Sequence, residues 1–216
     1  MIKILLSSLF VAALSGCATV PEVSIDANSG NAMKGKTVAF TTRVMPKMLT
    51  VTPADVLGSP VALFSRDKGA DMVLAFRIED PSIEIGRELM AALQAGRGTV
   101  AAGGSLRVQT DNVVEIAAAA KGNADYILDV STTFWMFSYF PFDFFRYQVH
   151  YQGNARLIDT ATGTVVANGK CKSEAPTSTG APRFDDFEAN NAEVLKREIA
   201  RSVRDCVATF KTRLAI

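Results

Sequence analysis

Aromatic side chains are concentrated in one short stretch of the sequence, from Phe134 to Tyr151. The chain has 216 residues with 13 Phe, 4 Tyr and 1 Trp, and 10 of these 18 aromatic residues lie in that stretch. Aromatic residues favour β-strands, but Pro141 and Asp143 interrupt the run, and proline is excluded from the middle of a central strand. The stretch therefore predicts two strands that are joined by an apolar turn.

Two interpretations of this turn remain open. In the first, the aromatic side chains fold back onto the core of the domain. In the second, six of them form an exposed apolar tip, and exposed apolar patches mark contact with a partner protein or a membrane. The residues of this predicted tip are Phe137, Tyr139, Phe140, Phe142, Phe144 and Phe145.

The rest of the chain predicts helices and further strands. Asp80 and Pro81 are typical of a helix N-cap and first helical turn, and an alanine-rich helix is predicted over residues 113–121. Asp159 and Gly163 indicate a hairpin turn between two strands, because Asp bonds to its own backbone and Gly accepts a positive φ.

The last helix, predicted over residues 191–214, has apolar residues at intervals of three and four. They are Leu195, Ile199, Val203, Cys206, Phe210 and Leu214. Residues 72–78 predict a buried strand, and the glycine-rich residues 96–104 predict a mobile surface loop. The whole pattern predicts a single α+β domain, residues 36–216, with a mixed or antiparallel sheet covered by helices and a long C-terminal helix.

The first 16 residues predict a cleaved secretory signal peptide. One positive charge, Lys3, precedes an apolar run from Ile4 to Leu14, which is too short to cross a bilayer. The sequence Leu14-Ser15-Gly16-Cys17 that follows resembles the lipobox of bacterial lipoproteins. In that family the signal is removed before the cysteine and the cysteine is acylated, so the resemblance implies that Cys17 is the lipidation site.

The residue after the cysteine bears on the destination. In the lipoprotein family, Asp at this position tends to retain the protein at the inner membrane. Because Ala18 is found there, the resemblance implies an outer-membrane protein that is anchored by acyl chains such as palmitate and faces the periplasm. The polar residues 17–35 predict a flexible tether between this lipid anchor and the domain.

Acylation of Cys17 leaves Cys171 and Cys206 as a pair. An even number of cysteines in an oxidising compartment favours a disulfide, and the alternative is two free thiols that fill the core. Two cysteines and the single His150 do not form a set of metal ligands, so we expect no metal site.

Signals for catalysis or nucleotide binding are weak. Residues 30–37 fit the pattern G-x-x-x-x-G-K-[ST], but a polar segment precedes them and a strand follows, which reverses the context of a phosphate-binding loop. His150 is the only histidine, so a serine or cysteine hydrolase would depend on it. The 23 Lys and Arg balance 22 Asp and Glu without a basic cluster for nucleic acid. We therefore expect no nucleotide, nucleic acid, cofactor or enzyme activity.

Two passages carry a family resemblance. Residues 122–128 follow the alanine-rich helix and resemble the helix-to-strand passage of the CsgG-like and TolB N-terminal-like envelope lipoproteins. Residues 156–166 resemble their hairpin, and a long closing helix follows. The chain departs from this pattern in residues 50–77 and in the aromatic segment. The resemblance implies an α+β accessory protein of secretion, polymer export or envelope maintenance, without catalytic residues.

Together these observations predict a non-enzymatic outer-membrane lipoprotein that acts through contact with an envelope protein or as a homo-oligomer. The alternative is a binding protein for a lipid or another apolar small molecule, with residues 134–151 lining its pocket. A hydrolase that uses His150 is the third hypothesis, and an acid or hydroxyl group beside that ring would favour it.

Overall fold

Six strands and the helices around them make up the computed structural model, which describes residues 22–56, 67–175 and 177–216. The strands are β1 (Thr37–Thr42), β2 (Leu49–Val51), β3 (Val100–Arg107), β4 (Tyr126–Phe140), β5 (Asp143–Asp159) and β6 (Thr164–Ser173). The α-helices of the described residues are α1 (Ala27–Ala32), α2 (Pro53–Val56), α3 (Lys68–Ala75), α4 (Pro81–Arg97), α5 (Val113–Ala120) and α6 (Ala189–Leu214). A 3-10 helix spans Phe184–Phe187.

The strands form one open, mixed sheet in the order β3-β1-β4-β5-β6. β4, β5 and β6 are antiparallel neighbours, whereas β1 is parallel to both β3 and β4. β4 is long enough to pair with β1 near its start and with β2 at Met136–Ser138. This arrangement confirms the predicted fold class, a single α+β domain with a mixed sheet and a long C-terminal helix.

One face of the sheet carries the main core. The helices α4 and α6 pack on it, and the large side chains of Trp135, Phe137 and Tyr151 are fully buried there. The apolar stripe predicted for α6 is buried at every position. The hydrophobic periodicity of the last helix therefore gave the correct core face.

The opposite face is covered by a helix at one end. Ile116 and Ala117 of α5 pack there against Ile127 of β4 and Ile158 of β5. Further along the strands this face carries polar side chains. We refer to that part as the open face.

The predicted capping and turn residues act as expected. The Asp80 side chain accepts a hydrogen bond from the backbone N–H of Ser82 at 2.9 Å, and Pro81 follows in the first turn of α4. Asp159 accepts from the N–H groups of Ala161 and Thr162, each at 2.9 Å. Both local predictions are confirmed.

Two local predictions are wrong. Residues 72–78 lie largely in helix α3, where Met72 and Val73 are buried while Leu74 is 77% exposed. Of the glycine-rich residues 96–104, residues 100–104 lie in β3, an edge strand paired with β1. A short apolar run is compatible with a helix or a strand, and the composition of an exposed strand does not reveal the backbone pairing that stabilises it.

The predicted tether also differs from the structure. Ile25 and Met33 are buried in the main core, and the N–H of Asn168 in β6 donates to the carbonyl of Val23 at 2.8 Å. Residues 22–35 therefore belong to the domain, because their apolar side chains have a core to enter. Cys17 and the signal peptide lie outside the described residues.

Cys171 of β6 and Cys206 of α6 form a disulfide, with Cα atoms 5.3 Å apart. This agrees with the pairing favoured by the sequence. The bridge joins the last strand of the sheet to the helix that covers it, and it closes a loop of 35 residues.

We expect the double variant C171A/C206A to lose about 2–4 kcal/mol of unfolding free energy, because a disulfide no longer restricts the conformations of the unfolded chain. Urea denaturation followed by circular dichroism measures the loss. Wild-type protein treated with a thiol reductant is the control and should show a similar decrease. A double variant as stable as the oxidised wild type would contradict a stabilising role.

Candidate functional site

The β4–β5 hairpin ends in an exposed group of phenylalanines. Phe142 in the turn is fully exposed, and Phe144 and Phe145 at the start of β5 are 55% and 72% exposed. Among the described residues, the exposed large apolar side chains include three aromatic ones, and all three are in this hairpin. We call Phe142, Phe144 and Phe145 the aromatic tip.

The other residues of the predicted tip are covered. Phe137 is fully buried and Phe140 is 8% exposed, so the expectation that they are exposed is wrong. Tyr139 is half-buried, and its ring meets that of Phe144 edge-on, with centroids 5.3 Å apart. Alternate residues of a strand face opposite sides of the sheet, and Phe137 lies on the side that the core covers. Each of the two interpretations of the aromatic segment therefore holds for part of it.

A layer of buried rings supports the aromatic tip. Phe137 stacks on Phe187 at 5.3 Å between centroids and contacts Phe184 at 5.5 Å. Tyr147 meets Phe184 edge-on at 5.2 Å, and its backbone N–H donates to the carbonyl of Pro182 at 2.8 Å. The base of the hairpin is thus held against residues 182–187 by ring contacts and by a backbone hydrogen bond.

An ion cluster around a buried carboxylate lies on the open face. The side chain of Asp129 is 1% exposed and forms ion pairs with Arg43 and Arg156. The hydroxyl of Thr41 donates to the same carboxylate at 2.6 Å. Arg43 also pairs with Asp111. Because the two carboxylates offset the two guanidinium groups, the cluster is neutral and joins separate segments of the chain to the sheet.

This cluster lies along a groove of about 1290 Å³. Ser131, Asn154, Asn168 and Lys170 contribute polar groups to its lining. The aromatic segment does not line it. Sequence reasoning missed this groove, since Arg43 and Asp129 are separated by 86 positions and no local pattern connects them.

His150 has both groups that the hydrolase hypothesis requires beside it. Its Nε2 lies 2.8 Å from the Ser138 hydroxyl, and its Nδ1 lies 3.2 Å from a carboxylate oxygen of Glu174. Burial lowers the pKa of the His150 ring below its ordinary value, against the opposing effect of Glu174. A neutral imidazole between a hydroxyl and a carboxylate has the atom order of a serine hydrolase triad.

The surroundings of Ser138 differ from those of a catalytic nucleophile. Ser138 is 7% exposed, and it lies in the sheet between Val51 of β2 and Gln148 of β5. Backbone N–H groups in a strand paired on both sides are engaged in the sheet, so they cannot stabilise an oxyanion. The arrangement therefore satisfies buried polar groups and ties Glu174, which follows β6, to the open face.

We expect an alkyl fluorophosphonate, a reagent for activated serines, to leave the full-length protein unmodified, because the Ser138 hydroxyl is covered and lacks an oxyanion site. Intact-mass spectrometry measures the adduct, and S138A is the control. A single adduct on the wild type that S138A abolishes would instead support the hydrolase hypothesis.

Among the described residues, no group of three or more His, Cys, Asp and Glu side chains is arranged to hold a metal ion. Within the same residues, no helix combines the length and the apolar character that a membrane span requires.

No family model matches the chain, and no curated protein matches it. Weakly similar solved structures exist. The PelC dodecamer from Paraburkholderia phytofirmans is 17% identical over 86% of this chain and 94% of that chain, with a TM-score of 0.36. The hypothetical protein CT253 from Chlamydia trachomatis is 12% identical over 84% of this chain and 99% of that chain, with a TM-score of 0.40.

A third structure is the lipoprotein GNA1162 from Neisseria meningitidis, which is 10% identical over 78% of this chain and 98% of that chain, with a TM-score of 0.28. These similarities are low in both sequence and structure.

Proposed function

We propose that this chain is a non-enzymatic outer-membrane lipoprotein that faces the periplasm and acts as an accessory of envelope assembly, secretion or polymer export. In this proposal Cys17 carries the acyl chains, and the aromatic tip contacts a partner protein of the envelope. The observation that carries the proposal is the exposure of three phenylalanines on a hairpin whose base is fixed. An exposed apolar group of this kind is typical of a surface that contacts a partner.

Chain length favours a protein partner over the anchoring membrane. Residues 18–21 separate Cys17 from the described part, and a chain of that length spans at most about 18 Å. Val23 is bonded to Asn168, which pairs with Arg156, and the strand from Arg156 to Phe144 extends for about 40 Å. The tip can reach the anchoring membrane only if β5 lies along it, whereas other orientations direct the tip towards the periplasm.

The alternative of a pocket for a lipid or apolar ligand receives less support. The buried rings of the aromatic segment pack against one another and against Phe184 and Phe187. The groove on the open face is lined by other segments, and the ion cluster lies along it.

The anchor has a direct test. We expect the full-length protein to incorporate an alkyne-labelled palmitate in cells and to fractionate with outer membranes, because the lipobox directs acylation of Cys17. The variant C17A should lose both properties. Label retained by C17A, or wild-type protein free in the periplasm, would contradict the proposal.

The aromatic tip is tested by the triple variant F142S/F144S/F145S in the full-length, anchored protein. We expect partner binding to weaken at least about tenfold, since aromatic anchors dominate protein interfaces. A photoreactive phenylalanine analogue at position 142 identifies the partner, and native electrophoresis of solubilised membranes measures the complex.

The matched control is L74S/V114S, which removes two apolar side chains that are 77% and 65% exposed elsewhere on the surface. This control should keep the complex. If the tip variant also keeps it, the proposed contact is wrong. Crosslinking of the analogue at position 142 to lipid, with an unchanged protein complex in the tip variant, would assign the tip to the membrane instead.

A further inference from the structure

Helices α4 and α6 enclose a second groove, which faces solvent and has a volume of about 800 Å³. Its floor is apolar and consists of Ile199, Val203 and Val207, each 8% exposed. The groove shares no lining residue with the aromatic tip or with the groove on the open face. A partner bound here would therefore leave both of those surfaces accessible.

The two walls of this groove carry opposite charges. On the α4 side the lining includes the exposed carboxylates of Glu84 and Glu88, and on the α6 side it includes the cations Lys196, Arg204 and Lys211. Glu79 and Arg77 also line the groove, just before α4; their opposite charges offset each other.

Several of these charges are without an ion-pair partner among the described residues. Within the described part of the chain, Glu88, Lys196 and Arg204 form no salt bridge, whereas Glu84 pairs with Arg87 on its own helix at 2.9 Å. The two walls are thus available to charges from outside the molecule. A partner that complements them must carry cations opposite α4 and carboxylates opposite α6.

A second copy of this chain meets that requirement. A two-fold axis that runs along the groove places α4 of each copy opposite α6 of the other. It leaves the position of each residue along the groove unchanged.

The C-terminal ends of α4 and α6 lie together, since Arg97 donates to the carbonyl of Ala215, so the two helices run parallel. Glu84 and Glu88 of one copy then face Arg204 and Lys211 of the second copy. A two-fold axis across the groove would place like charges together, which is unfavourable. Two-fold interfaces use the same patch on both subunits, and this patch is complementary to itself in one orientation.

We propose that the chain forms a homodimer through the α4–α6 groove, with its two-fold axis along the groove and the acidic wall of each copy against the basic wall of the other. The apolar floor supplies the buried centre of the interface, and the charged walls form its rim and set the orientation. This is the usual arrangement of protein interfaces.

The test uses charge reversal in the full-length protein, purified with its N-terminal segment in detergent micelles. Sedimentation velocity over a dilution series gives the dimer dissociation constant. We expect the wild type to dimerise and each single variant, E88R or R204E, to raise the Kd at least about tenfold, because each places like charges opposite each other. The double variant E88R/R204E should recover dimerisation, since the exchange restores opposite charges across the interface.

The control R107E reverses an exposed charge at the end of β3 and should dimerise like the wild type. Since all these side chains are exposed, the variants should fold, and the recovery in the double variant confirms that they do. A wild type that is monomeric at every concentration, single variants that dimerise normally, or a double variant that stays monomeric would each overturn the proposal. The tip variant F142S/F144S/F145S should remain dimeric, so this test is separate from that of the proposed function.

Discussion

The antiparallel pairing of β4 with β5 supports the rest of the molecule. It extends from Tyr126 opposite Asp159 to Phe140 opposite Asp143. The main core lies on one face of this ladder, α5 and the ion cluster lie on the other, and the aromatic tip lies at its end. A slip of one residue would transfer Trp135 and the other inward side chains to the opposite face. The register of this one pair therefore determines both the core and the exposed surfaces.

The sequence predicted the elements whose signals are local. A cap and proline marked the start of α4, Asp159 and Gly163 marked the hairpin, and an apolar stripe gave the core face of α6. The α+β class followed from the order of these elements. The disulfide was favoured by cysteine number and compartment, and the position of Cys206 on the buried stripe agreed with it.

The features that the sequence did not predict depend on contacts between distant segments. The glycine-rich β3 is a strand because β1 pairs with it, and residues 22–35 are ordered by the core that receives Ile25 and Met33. The division of the aromatic segment into buried Phe137 and exposed Phe142 required the strand register. Arg43 and Asp129 meet only because β1 and β4 are neighbours in the sheet.

The attachment of residues 23–25 has a mechanical consequence. Val23 is bonded to Asn168 of β6, and the N–H of Ile25 donates to the carbonyl of Leu214 at the end of α6. A pull on the chain ahead of these residues is thus applied to β6 and α6 together, and Cys171–Cys206 joins those two elements covalently. Tension from a membrane anchor would enter the fold at its cross-linked edge, and β3, which pairs only with β1 in the described sheet, lies at the opposite edge, away from the load.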